Sequence, residues 1–200
     1  VVGVIGPWNY PFQLLFTPLI GAIAGGNCAV LKPSEFAPAT AKVMHKIIDS
    51  LFPENYIAYL EGEGAAVLPS LLTENRFDHI FYTGSTMVGK IIYKYAAEQL
   101  VPVTLELGGK SPAVIASDAN IRVAARRLAN PKFSNAGQMC IAPDYILVPT
   151  ELKEELIQEL IKAIQQFYGV NAATSEHYGK IINDKQWQRL TSYLTEGEIV

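Results

Sequence analysis

Short β-branched runs alternate with helical patterns through the first half of the chain, and this alternation restricts its fold more than any other feature. Val1–Ile5, Cys28–Leu31, Tyr56–Leu60, His79–Tyr82 and Val101–Leu107 read as strands. Phe12–Ala24, Thr40–Leu51, a stretch running through Leu72, and Met87–Leu100 read as helices between them. The signals are apolar spacing, as in Val43, Ile47 and Leu51, and stops at Gly25-Gly26 and before Pro53. Strands separated by helices pair in parallel through right-handed crossovers, so the expected class is α/β with a doubly wound sheet. Gly108-Gly109 interrupts the pattern and marks the expected boundary between a domain at 1–108 and another at 109–200. In the second, Ala113–Ala116 and Tyr145–Val148 read as strands, and Ile121–Leu128, Leu152–Phe167 and Gln186–Leu194 as helices. Glu198–Val200 reads as a strand beginning. The chain opens inside a strand without Met, and both ends read as cuts through a larger protein.

Charge and cysteine usage exclude several functions. Sixteen Lys and Arg against nineteen Asp and Glu give a net charge of −3 with no long basic run. Polyanion binding needs clustered cations, so a nucleic-acid partner is not expected. Two widely spaced cysteines build neither a disulfide framework nor a zinc ribbon, and point to a reducing, cytoplasmic setting. Val1–Leu31 carries no charged residue, yet Gly6-Pro7, Pro11, Pro18 and Gly25-Gly26 cut it into pieces too short to span a membrane. A buried strand, helix and strand fit it better.

In a doubly wound sheet, ligands bind beyond the carboxyl ends of the strands. There the sequence places Trp8-Asn9 after the first strand, Lys32 and Glu35 after the second, Gly84 to Gly89 after the fourth and Glu106 at the end of the fifth. Gly84-Ser85-Thr86 opens a helix, where free N–H groups favour a pyrophosphate; equally, it reads as a tight turn with a Ser or Thr cap. It is neither a G-x-G-x-x-G fingerprint nor a Walker A loop. Lys32 and Glu35 suit the hydroxyls of a ribose, or else form a turn closed by a salt bridge. Glu106 is a general-base candidate if buried, and an ordinary carboxylate if exposed or paired. Cys140 follows a small-residue turn and reads either as an accessible nucleophile or as a small core residue. Cys28, His45, His79 and His177 read as structural.

Together these segments resemble the aldehyde dehydrogenases. Pro7-Trp8-Asn9-Tyr10-Pro11, Lys32-Pro33-Ser34-Glu35, Tyr82-Thr83-Gly84-Ser85, Leu105-Glu106-Leu107-Gly108-Gly109-Lys110-Ser111-Pro112 and Gly137-Gln138-Met139-Cys140 are similar to that family's signatures, in its order. Cys140-Ile141-Ala142-Pro143-Asp144-Tyr145 resembles the class 3 branch, which handles fatty and aromatic aldehydes. The resemblance covers essentially the whole chain, although family members are more than twice its length. It implies a Rossmann-like NAD-binding domain followed by the start of a catalytic domain.

It also implies site roles. Cys140 would attack the aldehyde, Asn9 would stabilise the oxyanion, and Glu106 would activate the water that hydrolyses the thioester. Lys32 and Glu35 would hold the adenine-side ribose of NAD, or of NADP, while Trp8 and the run Gly84, Ser85, Thr86, Met87, Val88 and Gly89 would line the rest of the cofactor. Lys110 is expected to pack or pair locally and not to react. The partners implied are a small-molecule aldehyde and further copies of the full-length protein, as homodimer or homotetramer. A carboxylate at position 106 favours hydrolysis over acyl transfer to CoA or phosphate reduction. The second reading is a truncated, inactive remnant that binds nucleotide without turning it over. Asn130-Pro131 departs from the Trp-Gly of class 3 relatives, and predicts a helix kinked or restarted at Pro131 ahead of the cysteine.

Overall fold

The computed structural model describes residues 1–195, so the strand expected at 198–200 lies outside the described residues. The chain divides into two compact units, Val1–Gly108 and Gly109–Val200.

The first unit alternates β1 (Val2–Ile5), α1 (Pro11–Ala24), β2 (Ala29–Lys32), α2 (Pro38–Leu51), β3 (Ile57–Tyr59), α3 (Gly64–Glu74), β4 (His79–Thr83), α4 (Thr86–Glu98) and β5 (Val103–Glu106). All five strands are parallel, in the order β3-β2-β1-β4-β5. The period-two alternation of side chains divides the core between the two faces. Val4, Ala29, Leu31 and Ile57 pack with Leu15 and Leu19 of α1 and Met44 and Ile48 of α2. Ile5, Ile80 and Tyr82 pack with Leu68 and Leu72 of α3 and Ile92 and Ala96 of α4. Both faces are therefore covered, as a parallel sheet requires.

Local chemistry sets the element ends. Pro11 and Pro38 stand at the starts of α1 and α2, where the missing N–H costs no intrahelical bond. The helix α4 stops at Glu98, two residues before the expected end, because Leu100 adopts a left-handed backbone (φ 56°).

The second unit holds β6 (Ser111–Val114), α5 (Ile121–Phe133), β7 (Pro143–Leu147), α6 (Lys153–Tyr168) and α7 (Asp184–Tyr193). The strand β6 begins two residues before the expected position, in parallel register with β7 through Pro112 opposite Tyr145 and Val114 opposite Leu147. Its core joins Ile115, Ile121, Ala125 and Leu156 with the flanking Leu128, Val148, Leu152 and Leu160. The helix does not restart at Pro131: α5 runs on to Phe133. Pro131 lies in the last turn, so it gives up a single bond to the carbonyl four residues back, just where the helix ends anyway. The break comes later, at Asn135 (φ 51°) and Ala136 (φ 54°) within a 3-10 turn, Ser134–Gly137. Among the described residues no helix is long and apolar enough to cross a membrane. No group of His, Cys, Asp and Glu among them is arranged to hold a metal.

Candidate active site

The strand order reverses between β1 and β4, and in an open parallel sheet a ligand sits in the crevice outside the carboxyl ends of such a pair. Ile5 lies opposite Tyr82, so the chain leaving β1 enters Gly6-Pro7-Trp8-Asn9 beside the turn Thr83-Gly84-Ser85 leaving β4. Trp8 and Asn9 are half-buried there. Gly84 must be bare: a Cβ would lie 2.6 Å from Cζ of the Tyr82 ring and would strike its hydroxyl. The Tyr82 hydroxyl donates to the Ser85 carbonyl (3.2 Å), and burial pushes the phenol up, keeping it a neutral donor. Ser85 caps α4, its hydroxyl accepting from the Val88 N–H (3.3 Å). The cap of the simpler reading is present, and it leaves the anion reading open. Val88 is satisfied by the cap, while the N–H groups of Thr86 and Met87 have no acceptor within the helix, and both residues are exposed. Exposed first-turn N–H groups at a helix start favour a phosphate. Gly89 is buried in the first turns of α4.

Lys32 ends β2 and is only 2% exposed. Its ammonium donates to the Pro33 carbonyl (2.8 Å) and to Glu35 Oε2 (3.0 Å). The other Glu35 oxygen accepts from the N–H of Gly64 at the start of α3 (3.1 Å). Burial alone would push the Glu35 carboxyl up, but bonds from its own N–H, from Gly64 and from Lys32 outweigh it and hold the carboxyl below its ordinary value. The salt bridge of the simpler reading is thus present. Glu35 stays 31% exposed with lone pairs to spare, an acceptor that fits ribose hydroxyls. The anchoring of Glu35 by Gly64 has no local signature, because its partner is 29 residues away.

Glu106 closes β5 with its side chain exposed, not buried among its apolar neighbours. Its carbonyl accepts from the Gly84 N–H (2.9 Å), which ties the β5 end to the glycine turn. Asn9, Lys32, Glu35, Gly84 and Glu106 accordingly share one edge of the first unit's sheet.

Cys140 belongs to the second unit. It is half-buried in a turn between Ser134–Gly137 and β7, and its thiol, like that of Cys28, is free. Here Gly109 acquires a reason: a Cβ on it would lie 2.6 Å from the Cys140 carbonyl oxygen, so only glycine lets the two backbones pass. Lys110 pairs with Asp144 (3.2 Å), the local pairing its position predicts. His45 faces Glu61 (3.0 Å) and Asp49 (3.4 Å), and His79 bonds the Thr104 hydroxyl (3.0 Å).

Comparison with known proteins bears on what this arrangement is. Residues 1–199 match the Aldehyde dehydrogenase family. A 4,4'-diaponeurosporen-aldehyde dehydrogenase of Staphylococcus aureus is 51% identical over 98% of this chain and 42% of its own length. The dimeric NADP-preferring aldehyde dehydrogenase of Rattus norvegicus is 45% identical, over all of this chain and 44% of its own. Aldehyde dehydrogenase family 3 member A2 of Mus musculus is 47% identical over 97% of this chain and 40% of its own. Among solved structures, an indole-3-acetaldehyde dehydrogenase complexed with NAD+ superposes with a TM-score of 0.87 at 32% identity, over 98% of this chain and 40% of that one. The chain thus spans less than half the length of the relatives it matches. With its motifs in order, its Rossmann-like sheet and this match from end to end, the chain belongs to the aldehyde dehydrogenase family.

Proposed function

We propose that the protein oxidises an aldehyde to a carboxylic acid with a nicotinamide dinucleotide as oxidant, Val1–Gly108 carrying the cofactor and Gly109–Val200 the nucleophile. The observation that carries this reading is the β1/β4 switch point, where a bare glycine turn opens a helix beside Trp8 and Asn9. The first-turn N–H groups of Thr86 and Met87 suit the pyrophosphate, and Gly84, Ser85, Val88 and Gly89 shape the turn that presents them. Glu35, held by Lys32 and Gly64, suits the adenine-side ribose. An acidic group there favours the unphosphorylated 2′-hydroxyl of NAD, while a relative named NADP-preferring makes NADP the variant to test. When bound, the cofactor supplies the hydride acceptor.

The residues divide the remaining chemistry. The Cys140 thiolate adds to the aldehyde carbonyl, forming a carbon–sulfur bond and an oxyanion. The Asn9 amide and the Cys140 N–H donate to that oxyanion; one such donor contributes about 3 kcal/mol. Loss of hydride from the carbonyl carbon leaves a thioester on Cys140. Glu106 takes a proton from water, the hydroxide attacks the thioester, and the carboxylic acid leaves as the thiolate returns. The exposure of Glu106 leaves it open to such a water. Two free thiols suit a reducing, cytoplasmic compartment, and a relative named dimeric supports a homodimer as the working form, with a homotetramer as the other outcome.

Glu106→Gln tests the division of labour. Acylation survives and hydrolysis stops, so the variant gives a burst of reduced cofactor of one equivalent per site and then stalls. A steady rate equal to the parent's, or no burst, removes Glu106 from the role of base.

A further inference from the structure

The turn that delivers Cys140 is held in an unfavourable conformation. Asn135 (φ 51°), Ala136 (φ 54°) and Gly137 (φ 75°) are consecutively left-handed, and two of the three carry a Cβ. Asparagine and glycine visit that region readily, but Ala136 persists there only where its surroundings over-determine it. Gln138 supplies much of that determination. Its amide nitrogen donates to the Asn135 carbonyl (2.9 Å), closing the turn, and to the Lys180 carbonyl (3.0 Å), while its amide oxygen accepts from the Ile182 N–H (3.0 Å). One side chain therefore ties the turn to a segment more than forty residues away in sequence. Gly179 brings that segment flat against the turn: a Cβ there would lie 3.3 Å from the Asn135 Cα and carbonyl carbon.

We propose that Gln138 is a positioning residue for the nucleophile, its carboxamide locking the left-handed turn onto the segment 179–182 and so fixing where the Cys140 thiol points. The proposal rests on Cys140 being the nucleophile. A carboxamide is the side chain that can do this, since it donates twice and accepts at the same reach. An ionised carboxylate of equal length keeps the bond from Ile182 but faces two carbonyl oxygens with no proton to give. A protonated one regains a donor.

The experiment compares Gln138→Ala, Gln138→Glu and the parent as full chains, with kcat expressed per active site titrated by the burst and by alkylation of Cys140. At pH 8 both variants lose about tenfold in kcat, the size expected for one hydrogen bond lost in the transition state, with KM for aldehyde and NAD within about twofold. As the pH is lowered to 5, the ratio of Gln138→Glu to parent climbs back to within about threefold, because protonation restores a donor; the ratio for Gln138→Ala stays flat. A role in stability alone would lower the number of active sites and leave kcat per site and both ratios unchanged, which overturns the proposal. Cys140→Ala is run alongside. If it retains turnover, the nucleophile reading and this proposal fall together; if it is inactive while the Gln138 variants match the parent, only the proposal falls.

Discussion

The two units are both parallel-sheet assemblies, yet they place their functional side chains by different means. In the first, five strands covered on both faces bring Asn9, Lys32, Glu35, Gly84 and Glu106 to one edge through strand order and register, with the bonds of Lys32 and Gly64 fixing Glu35. Among the described residues of the second, two strands pair, and Val114 (72% exposed), Tyr145 and Leu147 leave one face of them open. Cys140 is set there by a left-handed turn, a bare glycine at 109 and the bonds of one glutamine. A five-stranded sheet offers positions that follow largely from topology; a two-stranded one sets them contact by contact.

The largest effect expected is in the first core. Leu15 is fully buried between α1 and the sheet, so Leu15→Ala costs about 2–5 kcal/mol. In native-state hydrogen exchange the loss falls on amides of the first unit and spares those of the second. Equal loss in both units would break the comparison. A smaller effect follows from Glu35→Gln, which leaves buried Lys32 without its carboxylate. A fully buried pair would cost 3–5 kcal/mol, but Glu35 is 31% exposed, so roughly 1–2 kcal/mol is expected in urea titrations. The pH dependence has a definite sign. The folded carboxyl lies below its ordinary value of 4.5, so its contribution is complete above that value and is lost as pH falls through the lowered one. The Glu35→Gln variant lacks that component of acid destabilisation, and a parallel fall in both proteins would remove Glu35 as its source. The smallest effect lies on the open face. Val114→Ser changes stability by no more than about 0.5 kcal/mol, and a loss above 2 kcal/mol in thermal melts would show that face to be covered.

The same contrast explains what could be read from the residues. Every strand and helix of the first unit was legible, because apolar runs, Gly25-Gly26 and the prolines punctuate it at the right period. The edge that gathers Asn9, Lys32, Glu35 and Gly84 followed from the strand ends. The Glu35–Gly64 bond did not, since it joins residues with no shared pattern. Pro131 misled because a proline's cost depends on its place in the helix, and the sequence did not show that α5 ends two residues later. The true break at Asn135-Ala136 was missed although Asn135 and Gly137 are residues that take a left-handed backbone readily; the bonds of Gln138 to the segment 180–182 that accompany it have no local pattern. Glu106 was ambiguous among its apolar neighbours; it is exposed, so burial lends no support to its role as base, and the Glu106→Gln burst experiment tests that role.

The central claim is that Cys140 carries the reaction. Reduced nicotinamide formed from NAD and a medium-chain aldehyde is followed by absorbance for the full chain and for Cys140→Ala, with circular dichroism confirming that both are folded. The account predicts steady formation by the parent and none by the variant. Formation by a folded Cys140→Ala protein would contradict it, and so would none from a folded parent, which would leave a protein that binds nucleotide without turning it over.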